Sequence, residues 1–512
     1  MKRIYFAALL MTAATSSVAQ ETYENMKLID KDLNGTARYI GMGGAMEALG
    51  ADISTMGSNP AGIGLLRRSN ISFSFGLVSQ QDAADFSAGD KTNMSFDQIG
   101  FVYSGYSYGD SWANIGLNFH KSRNFDYILS AADDLHGASQ NKLTYAKAKN
   151  GLLYEVMSNL SPNFGQSYAS CSQLDDIYAR NLNYYSDDNT WYYDEATDYT
   201  LNRAHKGYVG EYNINLSGAI NNRVYLGLTA GIYDVNYSHY GEYTEHLNGY
   251  RLVVGDERTV EGTGYDIKAG IIVRPIDESA FRIGGYIHTP TWYSLTTENS
   301  TYVTDGSMTA QAGESYDFKL YTPWHFGLSL GHTIGNQLAL GATYDYADYG
   351  SMDTRYITGV RDYGYDHYDE SASDKTMNRH TEQTLKGVST LKLGAELKPM
   401  PEMAVRLGYN YVSPKYDEDG FKDGSLDTDG TYYSTATDFT NWEATHRITC
   451  GLGYTVGSLN LGLAYQYSTT NGNFMPFMNY VDNDTKADDN VCDVVKVSNK
   501  RHQLLLTVGY TF

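Results

Sequence analysis

Positive charge, proline, cysteine and long apolar runs are all scarce in this 512-residue sequence. Lys and Arg number 38 against 60 Asp and Glu, giving a formal net charge of −22. That balance excludes a nucleic-acid partner, because phosphates demand a basic surface. Three cysteines, Cys171, Cys450 and Cys492, are too few for a disulfide framework. No apolar run reaches the length of about 18 residues that a membrane-crossing helix needs. A membrane β-barrel stays open, since its strands show lipid only at every second residue. Neither Gly-x-Ser-x-Gly nor His-Glu-x-x-His occurs, and the twelve histidines are scattered without metal-ligand spacing. The chain therefore reads as no enzyme, with no cofactor and no metal.

What is abundant is tyrosine (47) and glycine (51), set against 9 prolines, a balance that favours many strands with aromatic anchors. The N-terminus reads as an export signal. Lys2 and Arg3 precede a short apolar stretch over 4–11, and Ser17-Val18-Ala19 forms a small-x-small cleavage site. Residues 1–19 are thus a signal peptide and Gln20 the mature start. No cysteine follows the cleavage site, so a lipoprotein is not expected.

Strict alternation recurs along the rest of the chain. Leu459, Leu461, Leu463, Tyr465 and Tyr467 alternate with Asn460, Gly462, Ala464 and Gln466. The C-terminus repeats the pattern with Leu504, Leu506, Val508, Tyr510 and Phe512. Such segments predict about fourteen strands between 70 and 512, single strands over 279–298 and 314–334 among them. Six connections are tight turns, such as Asn221-Asn222 and Gly335-Asn336, while the other seven are predicted to run from about fifteen to about eighty residues, the longest over 124–206. Short turns opposite long loops, with an even strand number, predict an all-β transmembrane antiparallel barrel over 70–512. Much of the acid falls in the loops, including Asp417, Glu418, Asp419 and Asp423.

Residues 20–69 do not alternate, and their glycines at 35, 41, 43, 44, 50, 57, 62 and 64 suit a chain folded tightly in a confined space. A plug, or hatch, inside the barrel lumen is expected. The run from Gly35 through Arg38 to Gly44, followed by Ala48-Leu49-Gly50-Ala51-Asp52 and Asn59-Pro60-Ala61-Gly62-Ile63, resembles the N-terminal hatch of the FadL/TodX family of outer-membrane transporters for long-chain fatty acids and other hydrophobic compounds. Further segments resemble the family's barrel, among them Thr322-Pro323-Trp324-His325 and His446-Arg447-Ile448-Thr449. The resemblance implies an outer-membrane location, passive uptake without a cofactor, capture of a hydrophobic ligand among external loops, a luminal site beside the hatch, and sideways release through a strand kink into lipid. It points to Arg38, Asn59, Pro60, Ala61 and Gly62 as hatch residues. The implied partners are a fatty-acid-like small molecule and outer-membrane lipid, with the chain acting as a monomer.

Alternation also sorts the charges. It projects Lys268, Arg274, Arg282, His288, His325, Asp345, Lys392, Glu396, Arg406 and Arg447 onto the luminal face. Arg406, Arg447, Lys392 and Arg282 are the candidate contacts for a ligand carboxylate, the first two foremost, because charge-assisted bonds to Arg are strong where water is scarce. The alternative is that these charges pair with one another and with Glu47, Asp52 and Arg38 of the plug. Leu143, Ala146, Leu152, Leu153, Val156, Met157 and Leu160 are spaced as on an amphipathic loop helix. Cys450 alternates with Ile448 and Leu452 and is expected to face lipid. A second functional class stays open, a structural or adhesive surface barrel that binds a host or polysaccharide partner through its loops.

Overall fold

The computed structural model describes residues 21–149, 183–185, 190–307, 309–363, 366–426, 428, 436–482 and 485–512. The expected signal peptide, Cys171 and the part of the expected loop helix beyond 149 lie outside these residues.

The alternating segments form a closed wall of fourteen antiparallel staves. The first three are β1 (Asn70–Gln81), β2 (Thr92–Tyr108) and β3 (Ser111–Asn124), the third continuing past a break as β4 (Tyr127–Asp134). A small hairpin of β5 (Asn183–Tyr185) and β6 (Thr190–Tyr192) belongs to the long loop. β7 (Ala196–Ile220), β8 (Val224–Leu247) and β9 (Tyr250–Val273) are staves four to six. The seventh comprises β10 (Arg282–His288) and β11 (Trp292–Thr304), and the eighth β12 (Thr309–Tyr321) and β13 (His325–Ile334). The ninth comprises β14 (Leu338–Asp348) and β15 (Asp353–Tyr363), with β16 (Asp366–Ser373) returning along β15. β17 (Gly387–Met400), β18 (Met403–Val412), β19 (Phe439–Val456), β20 (Leu459–Met475) and β21 (Val495–Thr511) complete the ring. β21 pairs with β1 from Asn70↔Thr511 to Gln81↔Lys500, so the wall has no free edge.

The outward face shows where lipid lies. On β9, Ile271, Ile267 and Tyr265 are exposed, whereas beyond Tyr265 the outward residues become Thr263, Glu261 and Glu257. The apolar band thus spans the roughly ten residues a tilted strand needs to cross a bilayer. Cys450 is exposed on this face beside Ile448 and Leu452, as its alternation predicts.

Two expectations are corrected. The strands expected over 279–298 and 314–334 are each interrupted, at 289–291 and 322–324, where Pro290 and Pro323 remove a ladder donor. Several connections expected to be long are instead strand. β8 and β9 run on to a turn at 248–249, and β11 runs on to Thr304 and β12 back from Thr309. Above the lipid band the outward face of a strand is polar, so the lipid-facing apolar alternation fades while pairing persists.

Residues 21–69 occupy the lumen. They form α1 (Thr22–Ile29), α2 (Ala37–Gly41) and two 3-10 turns, Ile53–Gly57 and Pro60–Leu65. Each short piece starts at a side-chain oxygen that accepts from backbone N–H groups: Glu21, Thr36, Asp52 and Asn59 in turn. Small clusters such as Ile53, Met56, Ile63 and Val102 fix the plug to the wall. The largest apolar core lies outside the lipid band, where Phe125, Tyr199, Tyr237, Val254, Phe318 and Phe474 pack inside the extended ring.

Candidate functional site

The Asn-Pro-Ala-Gly element is where plug and wall come closest. Asn59 Nδ2 donates to Glu47 O at 3.0 Å, and Asn215 Nδ2 donates to Pro60 O at 3.4 Å. Gly62 O accepts from Ala51 N at 2.9 Å, closing the plug on itself, and Ala61 is fully buried. Gly227 and Gly270 of the wall give room for Pro60 and Asn59, since a Cβ at either would overlap them.

The luminal charges chosen by alternation all point inward, but they do not converge. Arg406 Nε donates to Glu396 Oε2 at 2.7 Å, and Arg38 of the plug reaches the same oxygen at 3.0 Å. Lys392 Nζ lies 2.9 Å from Glu47 and 2.8 Å from Asp345. Arg282 Nη1 donates to Leu49 O at 2.9 Å. Lys392 and Arg282 tie plug to wall directly, and Arg406 braces the wall carboxylate that holds Arg38 of the plug. Arg447 differs: it donates to Asn410 Oδ1 at 2.9 Å, and its carboxylate neighbour Asp32 stands 4.0 Å away.

Arg447 belongs to a cluster that alternation did not assemble. Asp30 and Asp32, on the segment after α1, face four cations. Arg123 lies 2.8 Å from Asp30 and 3.2 Å from Asp32, Lys415 2.5 Å from Asp30, and Arg501 3.8 Å from Asp32. Four positive charges meet two negative ones, and two of the pairs are loose. Arg501 shares the inward parity of Gln503 and Thr507, a signal that alternation does hold. Arg123 breaks parity because the β3–β7 register shifts between Lys121 and Arg123, and Lys415 follows β18 in a stretch without periodicity.

The cluster stands at the junction of two cavities. One, of about 110 Å³, lies between α1 and the extended wall, with aromatic sides. Tyr23 stacks on Tyr416 at 5.0 Å, and Tyr127 stacks on His205 at 4.2 Å. The second, of about 180 Å³, lies beside the plug among His120, His288, His325 and Lys392. Asp30, Asp32 and Arg447 line both. A third cavity, of about 300 Å³, lies on the tight-turn side of the plug, at Arg38, Glu396 and Arg406.

Helix α1 roofs the first cavity and is held by buried ion pairs. Arg258 Nη1 lies 3.0 Å from Glu24, and Lys422 3.7 Å. Burial raises the pKa of Glu24, yet Lys27, Arg258 and Lys422 outweigh it and hold the group well below the usual carboxylate range. Further out, burial pushes Glu245 up to about 7, although Gln140 N and Tyr243 Oη each donate to it at 2.8 Å. Leu143 and Ala146 of the expected loop helix are buried on α3 (Gln140–Lys149), whose first residue makes that bond.

The wall opens between β2 and β3. Their ladder stops at Gln98↔His120, so residues 92–96 of β2 pair only with β1, and side chains such as Lys121 Nζ, donating to Ser95 Oγ at 3.0 Å, bridge the gap.

No protein-family model matches the sequence, and no curated protein matches it either. Solved structures do. The toluene transporter TbuX of Ralstonia pickettii superposes with a TM-score of 0.50 at 13% identity, covering 94% of this chain and 99% of that chain. A FadL homologue of Pseudomonas aeruginosa superposes at 0.54 with 12% identity and the same coverage. The chain is a transmembrane β-barrel with a luminal plug, and the particular fold is that of the FadL-type channels.

Proposed function

We propose that this protein is an outer-membrane channel for passive uptake of long-chain fatty acids or other hydrophobic small molecules that carry an anionic end. It acts as a monomer in lipid, without chemistry on its cargo. The observation that carries this reading is the four-to-two excess of cations around Asp30 and Asp32 at the junction of an aromatic cavity and a luminal one. Tyr23, Phe125 and Tyr416 receive the apolar body, while Arg447 and Arg501, the loosely paired members, take the carboxylate. Release follows the gap between β2 and β3 sideways into the bilayer. The fold shared with a toluene transporter and a FadL homologue supports transport over catalysis.

Arg406, Lys392 and Arg282 serve in this reading as ties between plug and wall. The pairing of luminal charges with one another and with the plug is the observation that favours a second reading, an adhesive surface barrel with an inert lumen. Mass spectrometry of apolar molecules co-purifying with the folded barrel, with titration of laurate into delipidated protein, separates the two. Saturable binding of laurate supports the channel. Absence of any bound apolar ligand removes it and leaves the adhesive reading.

A further inference from the structure

A second interruption of the wall lies far around the ring from the gap between β2 and β3. His288, His325 and Ala347 are successive cross-strand partners on staves seven, eight and nine. Immediately beyond them, all three staves break. On stave seven, 289–291 separate β10 from β11, and on stave eight 322–324 separate β12 from β13. On stave nine, a 3-10 turn at Tyr349–Ser351 separates β14 from β15.

The break is not equal at each seam. Between staves seven and eight the strands stay joined, Thr322 N donating to Thr291 O at 3.1 Å and Thr291 N to Thr322 Oγ1 at 2.8 Å. Between staves eight and nine, pairing stops at His325↔Ala347 and resumes at Tyr321↔Asp353. Residues 322–324 there face 348–352 with no ladder bond between them. Pro323 has no N–H to offer, and Tyr349 N turns away to donate to Lys386 O at 3.3 Å.

The position of this seam matters because of what lies on either side. Trp324 is 48% exposed on the outer surface, in line with lipid-facing Phe326 and Leu328, whereas the outward residues of β12 include Asp317 and Ser315. The seam is therefore at the outer edge of the apolar band, where Trp side chains favour the interface. On the inner side, Thr322, Pro323 and Tyr349 line the cavity beside the plug. Unpaired backbone at membrane depth is tolerated where it lines a water-filled cavity or is buried in protein, and costs several kcal/mol where it meets lipid alone.

We propose that the seam between staves eight and nine is a second lateral portal, joining the cavity beside the plug to the head-group level of the outer leaflet. It admits a molecule with an apolar body and a polar end, because the body leaves past Trp324 while the end stays beside His288 and His325. Tyr349, on the inner rim, narrows it. The proposal rests on the channel reading above and adds a route that reading does not need.

The test uses the full chain in lipid vesicles and a dansyl-labelled long-chain fatty acid as probe. In a Cys171→Ser, Cys450→Ser, Cys492→Ser background, Trp324→Cys with Asp348→Cys is joined across the seam by a short bismaleimide after folding. Ser95→Cys with Lys121→Cys is joined across the β2–β3 gap in a second protein, and each unlinked protein is its own control. Transfer of bound probe to the bilayer is expected to slow at least threefold on linking the seam, with probe affinity unchanged, and Tyr349→Ala is expected to speed it. Transfer that is unchanged by linking the seam, whether or not linking the gap slows it, overturns the portal and leaves the channel standing. Failure of the unlinked proteins to bind probe at all overturns the channel reading and the portal with it.

Discussion

Arg38 of the plug lies 3.0 Å from Glu396 of the wall, at the end of the lumen nearest the tight turns. Glu396 is nearly inaccessible and also holds Arg406, so one carboxylate anchors a plug cation and a wall cation together.

This sharing makes the two ends of the pair unequal. Arg38→Ala leaves Glu396 paired with Arg406, whereas Glu396→Ala strands two guanidinium groups. Breaking a buried pair so that charge is left alone costs about 3–5 kcal/mol. Glu396→Ala is expected to lose that amount and Arg38→Ala about 1 kcal/mol, roughly a surface-pair value. Urea unfolding of the barrel in micelles, followed by tryptophan fluorescence, compares them; equal losses would refute the shared anchor.

Arg447 and Lys392 are expected to part company in binding assays. A charge-assisted hydrogen bond is worth about 1.5–3 kcal/mol, so Arg447→Ala should weaken laurate binding about 10- to 100-fold and leave dodecanol, which lacks the charge, unaffected. Lys392→Ala should leave laurate affinity near wild type while lowering stability, because Glu47 and Asp345 both lose their cation. Calorimetry with the two ligands reads the difference.

Gly227 is predicted to be intolerant of any side chain. Gly227→Ala places a methyl group against Pro60 backbone, which cannot swing aside. The barrel is expected to form, as judged by heat-modifiable gel mobility, but with the plug displaced and cleavable by protease within 21–69. Wild-type protection of that segment in the variant would contradict the packing.

Glu245 gives the outer ribbon a pH dependence. Its pKa is raised on folding to about 7 from an ordinary value of 4.5, chiefly by burial. The folded state therefore binds the proton more tightly than the unfolded one. Its contribution is full below about pH 4.5 and is lost as pH rises through about 7. Hydrogen exchange over 138–147, the segment docked on Glu245 through Gln140, should be several-fold faster at pH 8 than at pH 5. Glu245→Gln should flatten the difference.

How far the sequence reaches depends on where a residue sits relative to lipid. Within the apolar band, one face must be greasy, so Leu461, Leu463 and Cys450 point outward as alternation requires, and the stave count follows. Beyond Tyr265 that requirement ends, and the ribbons of β8–β9 and β11–β12 look like loop. Parity places Lys392, Arg406, Arg282 and Arg447 inside, yet it carries no information on height, and height decides that of these four Arg447 alone stands where the aromatic cavity and the one beside the plug meet. The register shift at Lys121 hides Arg123 altogether. Plug contacts are equally silent, since Asn59 against Gly270 joins positions more than two hundred residues apart in a match that no local pattern records.

The seam between β1 and β21 also sets an order of assembly. Asn70, the first residue of the wall, pairs with Thr511 of β21, so the ring cannot shut until β21 has been made and exported. Contacts so distant in sequence form slowly. The plug lies just ahead of Asn70 and packs against wall strands on opposite arcs of the ring, at Gly227 and Gly270 and at Gly408 and Gly451. The glycine-lined wall at Gly227 and Gly270 is thus the mould that receives Pro60 and Asn59, and a plug seated before the last strand docks gives the distant β1–β21 seam a surface to close on.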